Sequence, residues 1–338
     1  MRHLVSIITP TFNHQSFIGS CIDSVLNQTY EDWEMIIVDD GSSDDTVETA
    51  LNYAKKDKRI KVFPRANVGI FQLADTYNFA LAQSSGEFVA VLEGDDVWEP
   101  DKLELQMKAF EATPDAILSW GDAEITSTTL DPIGPTRSGD AGENRTAFDN
   151  RPVGTVLNQL YLENFISAVT IVIRRTELDA IGGFQHRENL PLVDYPTLLA
   201  LAVRGPFAYV GKKLAQWRWH PNQVTKSYHP QIIERVRELA LEHLDGLNSS
   251  IRKEVALTRD EIEGRYRSAL QNSYVQSGRY KLVQKRFSDA RRDYLRALFF
   301  PGLTGPSNRL VALAGIASSL GGMDLEWLAR LLGKKPVT

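Results

Sequence analysis

Short apolar segments alternate with helix-like patterns along the first third of the chain. Four apolar segments predict β-strands, at residues 5–8, 33–38, 60–63 and 88–92. Between them, apolar residues recur at helical spacing over residues 17–28 and 71–84, and a capped helix is predicted to end near Asp57. Because parallel strands joined by helices give this alternation, the pattern predicts an α/β fold with a mostly parallel, doubly wound sheet.

Beyond residue 100 the pattern first becomes irregular and then purely helical. Further strands are predicted at residues 116–120, 169–173, 207–210 and 214–219, and helices at residues 100–112, 176–181 and 195–203. Residues 126–152, rich in Gly, Asp, Thr, Asn and Pro, predict a surface excursion. Helical periodicity alone continues through residues 231–248, 259–277, 280–300, 307–320 and 324–332. The 338 residues therefore predict two domains, a sheet domain at 1–228 and a helical C-terminal region at 229–338.

The composition, with 43% hydrophobic and 24% charged residues, is that of an ordinary soluble globular protein. The single cysteine, Cys21, excludes an intramolecular disulfide and a cysteine-rich metal site, and we expect it to be a small buried apolar residue. The N-terminal residues lack the apolar core of a secretion signal, and no apolar run is long enough to span a membrane. A reducing, cytoplasmic location is the expectation.

Charge is distributed unevenly along the chain. The formal net charge is −5, but residues 279–338 contain 11 Lys and Arg against 4 Asp and Glu, whereas the remaining residues contain 27 against 39. Such a basic segment favours an anionic surface as partner, and peripheral contact with the inner face of the cytoplasmic membrane through residues 279–338 is one interpretation. A solvated face on a packed helix is the alternative. No nucleic-acid partner is expected.

Acidic residues follow two of the predicted strands. They are Asp39 and Asp40 after the second strand, and Glu93, Asp95 and Asp96 after the fourth. Ligands bind outside the carboxyl ends of the strands in open α/β sheets, so we expect these side chains and Thr9, after the first strand, to share one crevice. Because the sequence contains no Gly-rich phosphate loop, an acid-lined crevice favours a divalent cation. Asp and Gly are also common turn formers, so an ordinary turn before the next helix stays open.

Three motifs, in this order, carry a resemblance to a known family. They are residues 5–13 (VSIITPTFN), 38–46 (VDDGSSDDT) and 92–96 (LEGDD). In order and spacing they resemble the family 2 inverting glycosyltransferases with the Rossmann-like GT-A fold, and the likeness covers about residues 4–225. The resemblance implies a nucleotide-sugar donor, most often a uridine diphosphate (UDP) sugar, and a divalent cation, Mg²⁺ or Mn²⁺.

The resemblance also implies roles for individual residues. Those expected around the donor nucleotide are Thr9, Pro10, Asp39, Asp40, Asn67, Gly69 and Asp95. Asp96 is expected to ligate the cation, and Asp95 is shared between the ribose and the cation. In the segment WRWHP, His220 or Arg218 is expected to approach the diphosphate or the cation. A surface hydrogen-bonding role for His220 is the alternative.

The catalytic base implied by the resemblance is Asp194, which follows the segment GGF at residues 182–184. An inverting displacement at the anomeric carbon needs a carboxylate that takes the proton of the acceptor hydroxyl. A helix cap is the alternative role of Asp194, and Glu188 is the reserve candidate for the base. The sequence departs from the usual acids of the family at three positions, Glu93, Val193 and Thr197.

The leading functional hypothesis is a metal-dependent inverting glycosyltransferase of the hexosyltransferase type. It would add one sugar to a glycan or a lipid-linked saccharide in bacterial cell-surface polysaccharide synthesis. The three departures motivate an alternative, a catalytically inactive protein that uses the crevice to bind a nucleotide or glycan and the helical region to bind partners. A nucleotidyltransferase is disfavoured because no Gly-rich nucleotide loop follows the first strand.

Overall fold

A computed structural model gives the structure of the protein. The described residues are 3–135, 148–220, 223, 229–301 and 306–323. The chain divides into two compact units, which are Met1–Trp219 with Gly246–Ala256, and His220–Asp245 with Leu257–Thr338. The helix predicted at residues 324–332, and residues 136–147 of the predicted excursion, lie outside the described residues. The domain boundary predicted after residue 228 stays a prediction.

The first part of the first unit repeats a strand and a helix, as the sequence predicts. Its elements are β1 (Val5–Thr11), α1 (Ile18–Leu26), β2 (Trp33–Asp39), α2 (Thr46–Ala54), β3 (Ile60–Pro64), α3 (Leu73–Ala82) and β4 (Phe88–Val91). β1 pairs in parallel with β2 and β4, and β2 pairs in parallel with β3. Every residue of β1, β2 and β4 is buried, which explains why these strands appear as nearly continuous apolar runs.

The sheet continues into a mixed second part. Its elements are β5 (Val97–Trp98), α4 (Lys102–Ala112), β6 (Leu118–Thr126), β7 (Pro132–Pro135), α5 (Leu157–Leu160), β8 (Val172–Arg174), α6 (Arg175–Ala180), α7 (Asp194–Ala202) and β9 (Phe207–Arg218). Within the described residues, nine strands form one sheet in the order β3-β2-β1-β4-β8-β6-β9-β5, with β7 beside β6. β8 runs antiparallel to β4 and β6, whereas β6 and β9 are parallel. The predicted α/β class is confirmed, with a mixed sheet beyond β4.

Two local predictions differ from the structure. Residues 207–210 and 214–219, predicted as separate strands, belong to the single strand β9, because register shifts against β6 next to Asp122 absorb the polar residues between them. The strand predicted at residues 169–173 begins instead with a 3₁₀ turn, Ala168–Thr170, and β8 starts at Val172.

The apolar core of the first unit lies between the parallel strands and the helices that cover them. Its buried side chains include Ile7 of β1, Ile22 of α1, Met35 of β2 and Leu103 of α4. Cys21 is fully buried in this cluster, as predicted for a small apolar residue. Because the packed core holds the strands in place, the loops at their carboxyl ends are anchored to rigid elements.

The second unit is helical, as predicted. Its elements are α8 (His229–Asp245), α10 (Arg259–Val283), α11 (Phe287–Leu298) and α12 (Pro306–Leu320), while α9 (Ser249–Arg252) belongs to the first unit. α10 begins with a capping box in which Thr258 and Glu261 each accept the backbone N–H of the other. In the described part of the chain, no helix is both long and apolar enough to cross a membrane.

The break between α10 and α11 lies further along the chain than predicted. The sequence predicts helices at residues 259–277 and 280–300. Gly278 instead lies inside α10, where an added Cβ would come within 2.9 Å of the Tyr294 ring. The chain turns at Lys285, which has a φ of 59°. The glycine therefore serves close helix packing rather than a turn.

Candidate active site

The loops that follow β1, β2 and β4 meet at the carboxyl edge of the parallel strands. We call residues 12–17 the first loop, residues 40–45 the second loop and residues 92–96 the acid loop. In the parallel register, Thr11 at the end of β1 lies beside Asp39 at the end of β2. The backbone N–H of Gly94 in the acid loop donates to the carbonyl of Pro10 at 3.0 Å. The predicted convergence of these strand ends is therefore present.

The first and second loops are held together by side-chain hydrogen bonds. Asn13 Oδ1 accepts the backbone N–H of Ser43 at 2.8 Å. The backbone N–H of Gln15 donates to the carboxylate of Asp44 at 3.1 Å, and the Gln15 side chain accepts the N–H of Asp45 at the same distance. Because short polar side chains readily bond to nearby backbone, the DGSSDDT run builds a rigid double loop.

Asp39 turns its carboxylate toward its own loop. Its Oδ1 accepts the backbone N–H groups of Gly41 at 3.0 Å and Ser42 at 2.8 Å, and its Oδ2 accepts the Ser42 hydroxyl. Gly41 has a φ of 78°, and an added Cβ would come within 2.7 Å of the backbone nitrogen of Asn67. Any contact between Asp39 and a nucleotide would therefore use a carboxylate that the loop already orients.

Asp40, Asn67 and Gly69 form a second part of the same edge. Asp40 Oδ1 accepts the backbone N–H of Val68 at 2.9 Å, and Asn67 Nδ2 donates to the Asp40 carbonyl at 2.7 Å. Gly69 has a φ of 84°, a conformation that favours glycine. The structure thus brings together four residues predicted around the donor, Asp39, Asp40, Asn67 and Gly69. Their contacts with a donor stay predictions.

Thr9 and Pro10 lie inside β1 rather than in the loop after it, because the strand extends to Thr11. Thr9 is fully buried, and among the described residues its hydroxyl has no hydrogen-bond partner. Phe12 is the first residue of this segment with an exposed side chain. The predicted roles of Thr9 and Pro10 beside the nucleoside are not tested by this placement.

Three carboxylates meet in the acid loop. Oxygen atoms of Glu93, Asp95 and Asp96 lie within 4.8 Å of one another. Asp96 is 1% exposed and accepts the backbone N–H of Arg218 at 2.8 Å. The acid loop lies close to the end of β1 because residue 94 is a glycine: an added Cβ would come within 2.6 Å of the Thr11 hydroxyl.

Burial and mutual repulsion make these acids hard to ionise. Burial and the Asp95 charge raise the pKa of Glu93 to about 7, although the Tyr77 hydroxyl, 2.5 Å away, opposes the rise. Burial and the charges of Asp95 and Glu93 raise the pKa of Asp96 well above its ordinary value. A divalent cation prefers carboxylate oxygens and would relieve this repulsion. The residues present therefore fit a divalent-cation site.

Asp194 begins α7 and lies within electrostatic range of the acid loop. Burial raises its pKa, and its charge contributes to the raised pKa values of Glu93 and Tyr77. Asn164 Nδ2 donates to Asp194 Oδ2 at 2.6 Å and orients the carboxylate. Glu188, the reserve candidate for the base, is exposed to solvent. The geometry thus favours Asp194, whose role stays a prediction.

α3 supports the segment that leads to Asp194. Asn78 makes two 2.8 Å hydrogen bonds with the backbone of Phe184, donating to its carbonyl and accepting its N–H. Thr197 Oγ1 accepts the backbone N–H of Gln185 at 2.9 Å. The hydroxyl at position 197, where the family often has an acid, thus ties α7 to the preceding turn.

Arg218 is the last residue of β9 in the first unit. His220, two residues further along the chain, is the first residue of the second unit. Arg218 is 1% exposed, and its Nη2 donates to the Ser20 hydroxyl at 3.0 Å. The backbone N–H of His220 donates to Gln223 Oε1 at 3.3 Å. The predicted role of His220 at the cation stays a prediction.

Sequence reasoning did not single out two residues that contact the predicted acids, Tyr77 and Asn164. Tyr77 lies in the middle of an amphipathic helix, where an aromatic residue is usually part of the core, and Asn164 lies in no motif. Arg218 belongs to the segment that the resemblance marked, and its backbone N–H contacts Asp96.

Solved structures define the class of fold. The chain is similar to Staphylococcus aureus TarS 1–349 in complex with UDP-GlcNAc, with a TM-score of 0.56 and 16% identity over 98% of this chain and 93% of that chain. It is also similar to the mannosyltransferase PcManGT from Pyrobaculum calidifontis in complex with GDP-Man and Mn²⁺, with a TM-score of 0.54 and 15% identity over 95% and 88%. The fold is that of the GT-A glycosyltransferases, as predicted.

Sequence relatives define the family. The profile of Glycosyl transferase family 2 matches residues 6–168. The putative teichuronic acid biosynthesis glycosyltransferase TuaG of Bacillus subtilis is 30% identical over 67% of this chain and 83% of its own length. The Escherichia coli glucosyltransferase WfgD is 43% identical over 55% and 67%, and the putative glycosyltransferase EpsH of B. subtilis is 29% identical over 68% and 65%. The chain belongs to glycosyltransferase family 2, which confirms the predicted class of enzyme.

Proposed function

We propose that this protein transfers a sugar from a nucleotide diphosphate sugar, with UDP as the expected nucleotide, to a glycan or lipid-linked saccharide, with inversion at the anomeric carbon. The observation that carries the proposal is the meeting of three carboxylates in the acid loop, next to the double loop that orients Asp39. A cation site and a preformed loop at one sheet edge suit a donor that has both a diphosphate and a nucleoside.

The relatives support the chemical classes of donor and acceptor. TarS 1–349 forms complexes with UDP and with UDP-GlcNAc. WfgD is named for glucosyl transfer from UDP-Glc to GlcNAc-diphosphoundecaprenol, and TuaG for teichuronic acid biosynthesis. We therefore assign this chain to cell-surface polysaccharide synthesis, with a lipid-linked or polymeric acceptor, at the cytoplasmic membrane face. Peripheral contact with that membrane through residues 279–338 belongs to the same proposal.

The cation of the proposal is Mg²⁺ or Mn²⁺, held by Asp96 and Asp95. When bound, such an ion neutralises the charge that develops on the departing diphosphate. Asp96 is suited to this role because its backbone partner at Arg218 fixes one oxygen and leaves the other available. Glu93 is tied to Tyr77 and supports the cluster from the side.

Asp194 is the proposed general base. The acceptor oxygen forms a bond to the anomeric carbon, the bond from that carbon to the diphosphate oxygen breaks, and the acceptor proton passes to Asp194. Burial raises the pKa of Asp194, which makes its carboxylate a stronger base than an exposed aspartate. Asn164 donates to one carboxylate oxygen and so orients the group.

Replacement of Asp194 by Asn tests this assignment. Asp194→Asn should lower turnover by about 10³, because general-base catalysis contributes 10² to 10⁴ in typical enzymes. UDP release in the presence of donor and acceptor measures turnover, and calorimetry with UDP and Mn²⁺ measures donor-site binding, which should not change. Glu188→Gln is the matched control and should keep full activity. Full turnover in Asp194→Asn would reject the base, and nucleotide binding without any transfer by the wild type would favour the binding-protein alternative.

A further inference from the structure

The outward face of α12 is apolar from Leu310 to Leu320. Its three large exposed side chains are Leu310 (68% exposed), Leu313 (50%) and Leu320 (67%). Ala314 and Ala317 lie between them and are also exposed. Residues spaced by three, four and seven positions share one helix face, so these five residues form a continuous stripe without a charge.

On its inward face, α12 buries Ala312, Gly315, Ser318 and Ser319, and its Val311 and Ile316 pack against the apolar cluster of the unit. Leu310, Leu313 and Leu320 are thus large apolar side chains that this packing leaves outside. Large apolar side chains aligned in water indicate a surface that another apolar phase covers.

Packing prevents α12 from rotating to bury its leucines. An added Cβ on Gly315 would come within 2.2 Å of the Tyr294 ring, so the two helices are as close as they can be at this point. Arg291 of α11 donates to the hydroxyl of Ser319 at 3.1 Å and to its carbonyl at 3.2 Å. The inward face is thus fixed by specific contacts, and the outward stripe follows from them.

The neighbouring helix α11 and the residue after it also expose apolar and basic side chains. Phe299 is 77% exposed and Leu295 is 40% exposed. Arg292 and Arg296 are exposed on the same helix, at positions adjacent to Leu295. Exposed apolar side chains interleaved with cations are typical of surfaces that lie in the headgroup region of a membrane.

We propose that the outward faces of α11 and α12 dock on an anionic lipid bilayer. Charge favours lipid, because residues 279–338 contain 11 basic and 4 acidic residues. A second copy of the chain fits less well, because a symmetric contact through this surface would bring Arg292 and Arg296 close to their own copies. The inference rests on the membrane contact included in the proposed function, for which it supplies the surface. It does not rest on the transfer reaction, and its tests need no substrate, so their failure would leave that reaction untouched.

Vesicle flotation of the full chain tests the apolar contribution. The wild type should float with vesicles of phosphatidylcholine and phosphatidylglycerol, and Leu310→Glu with Leu313→Glu should lower the partition coefficient by about tenfold or more, because two apolar side chains no longer enter the bilayer. Leu51→Glu is the matched control, since Leu51 is an exposed leucine of α2 at 39% exposure. Absence of flotation, or equal binding by all three proteins, would overturn the proposal.

The basic contribution has its own test. Arg292→Gln should weaken binding to anionic vesicles by about fivefold, the effect expected for one cation near a charged surface, and should not change binding to phosphatidylcholine alone. The effect should shrink at high salt, because the attraction is screened. Equal weakening on both kinds of vesicle would contradict the charge argument.

A fluorescent label distinguishes a lipid bilayer from the other occupants that could cover the exposed leucines of α12. Cys21 is fully buried, so a polarity-sensitive dye should label the Leu313→Cys variant only at position 313. Emission should be water-like without vesicles and should shift to the blue with anionic vesicles. Blue emission without vesicles would contradict the proposal: dependence on protein concentration would identify a second copy, and independence would identify the chain's own residues 324–338.

Discussion

Two buried glutamates at opposite ends of the same parallel strands behave in opposite ways. Glu34, at the amino end of β2, accepts hydrogen bonds from Ser6 and Ser85 and pairs with Lys61 at 2.8 Å. These partners outweigh burial and lower its pKa to about 2. Glu93, at the carboxyl end of β4, faces other acids, and its pKa rises to about 7.

The comparison shows that burial alone does not determine what an acid does. At the amino ends of the strands, donors and a cation from the protein satisfy the charge, so the acid contributes to stability. At the carboxyl ends, Glu93 and Asp96 face other acids, whose charges raise the pKa of each. A site that the fold leaves electrostatically unbalanced is a site for a ligand of opposite charge, which for this edge is a divalent cation.

The largest effect expected from the difference between the two ends of the strands is on turnover. Asp96→Asn keeps the shape of the side chain but removes the carboxylate proposed to hold the cation, so turnover should fall by about 10³. Glu34→Gln, at the other end of the strands, should keep wild-type turnover per folded molecule. UDP release measured for both variants checks this, and equal loss in the two would mean that the carboxyl edge has no special role.

The next effect is on stability. Glu34→Gln should lower the free energy of unfolding by about 2 kcal/mol at pH 7, since each unit of pKa shift corresponds to 1.36 kcal/mol and the full shift is an upper bound. Because the folded-state pKa is lowered, the contribution is complete above pH 4.5 and is lost as pH falls toward 2. Urea unfolding of the wild type and of Glu34→Gln between pH 4.5 and pH 2 measures the loss. If the difference in their free energies of unfolding does not change with pH, the charge of Glu34 is not its cause.

The smallest effect concerns pH and the cation together. The pKa of Glu93 is raised, so its ionisation destabilises the cation-free fold as pH rises from 4.5 to about 7. A divalent cation should reverse this, so Mn²⁺ should raise the melting temperature by a few degrees more at pH 8 than at pH 5. Asp96→Asn should reduce the difference, and an equal Mn²⁺ effect at both values of pH would contradict the account.

Much of the fold was predictable because buried parallel strands are both apolar and short. The apolar segments at residues 5–8, 33–38 and 88–92 correctly predicted β1, β2 and β4, although β1 extends to Thr11. The second part of the sheet was less predictable, because β9 continues through a polar stretch by shifting register against β6. In the second unit, the predicted helix end at residue 277 fell short, because the helix continues to Val283 and the chain turns only at Lys285.

The site was predictable where its residues follow strands and less so where they come from helices. Glu93, Asp95 and Asp96 could be placed together because the ends of parallel strands meet. Tyr77 and Asn164 could not, because their proximity to the acids depends on how helices and loops pack. The apolar stripe of α12 was also not predictable, since apolar residues occur on every side of the segment 310–320 and its sequence does not indicate which face is inside.

Calorimetric titration of the full chain with UDP, with Mn²⁺ and then with the cation chelated, tests the central claim most directly. The account predicts saturable UDP binding with Mn²⁺, loss of that binding after chelation, and the same loss in Asp96→Asn with Mn²⁺ present. UDP binding that is equal with and without the cation, or that Asp96→Asn leaves unchanged, would contradict the claim that the acid loop and its neighbours form a cation-assisted donor site.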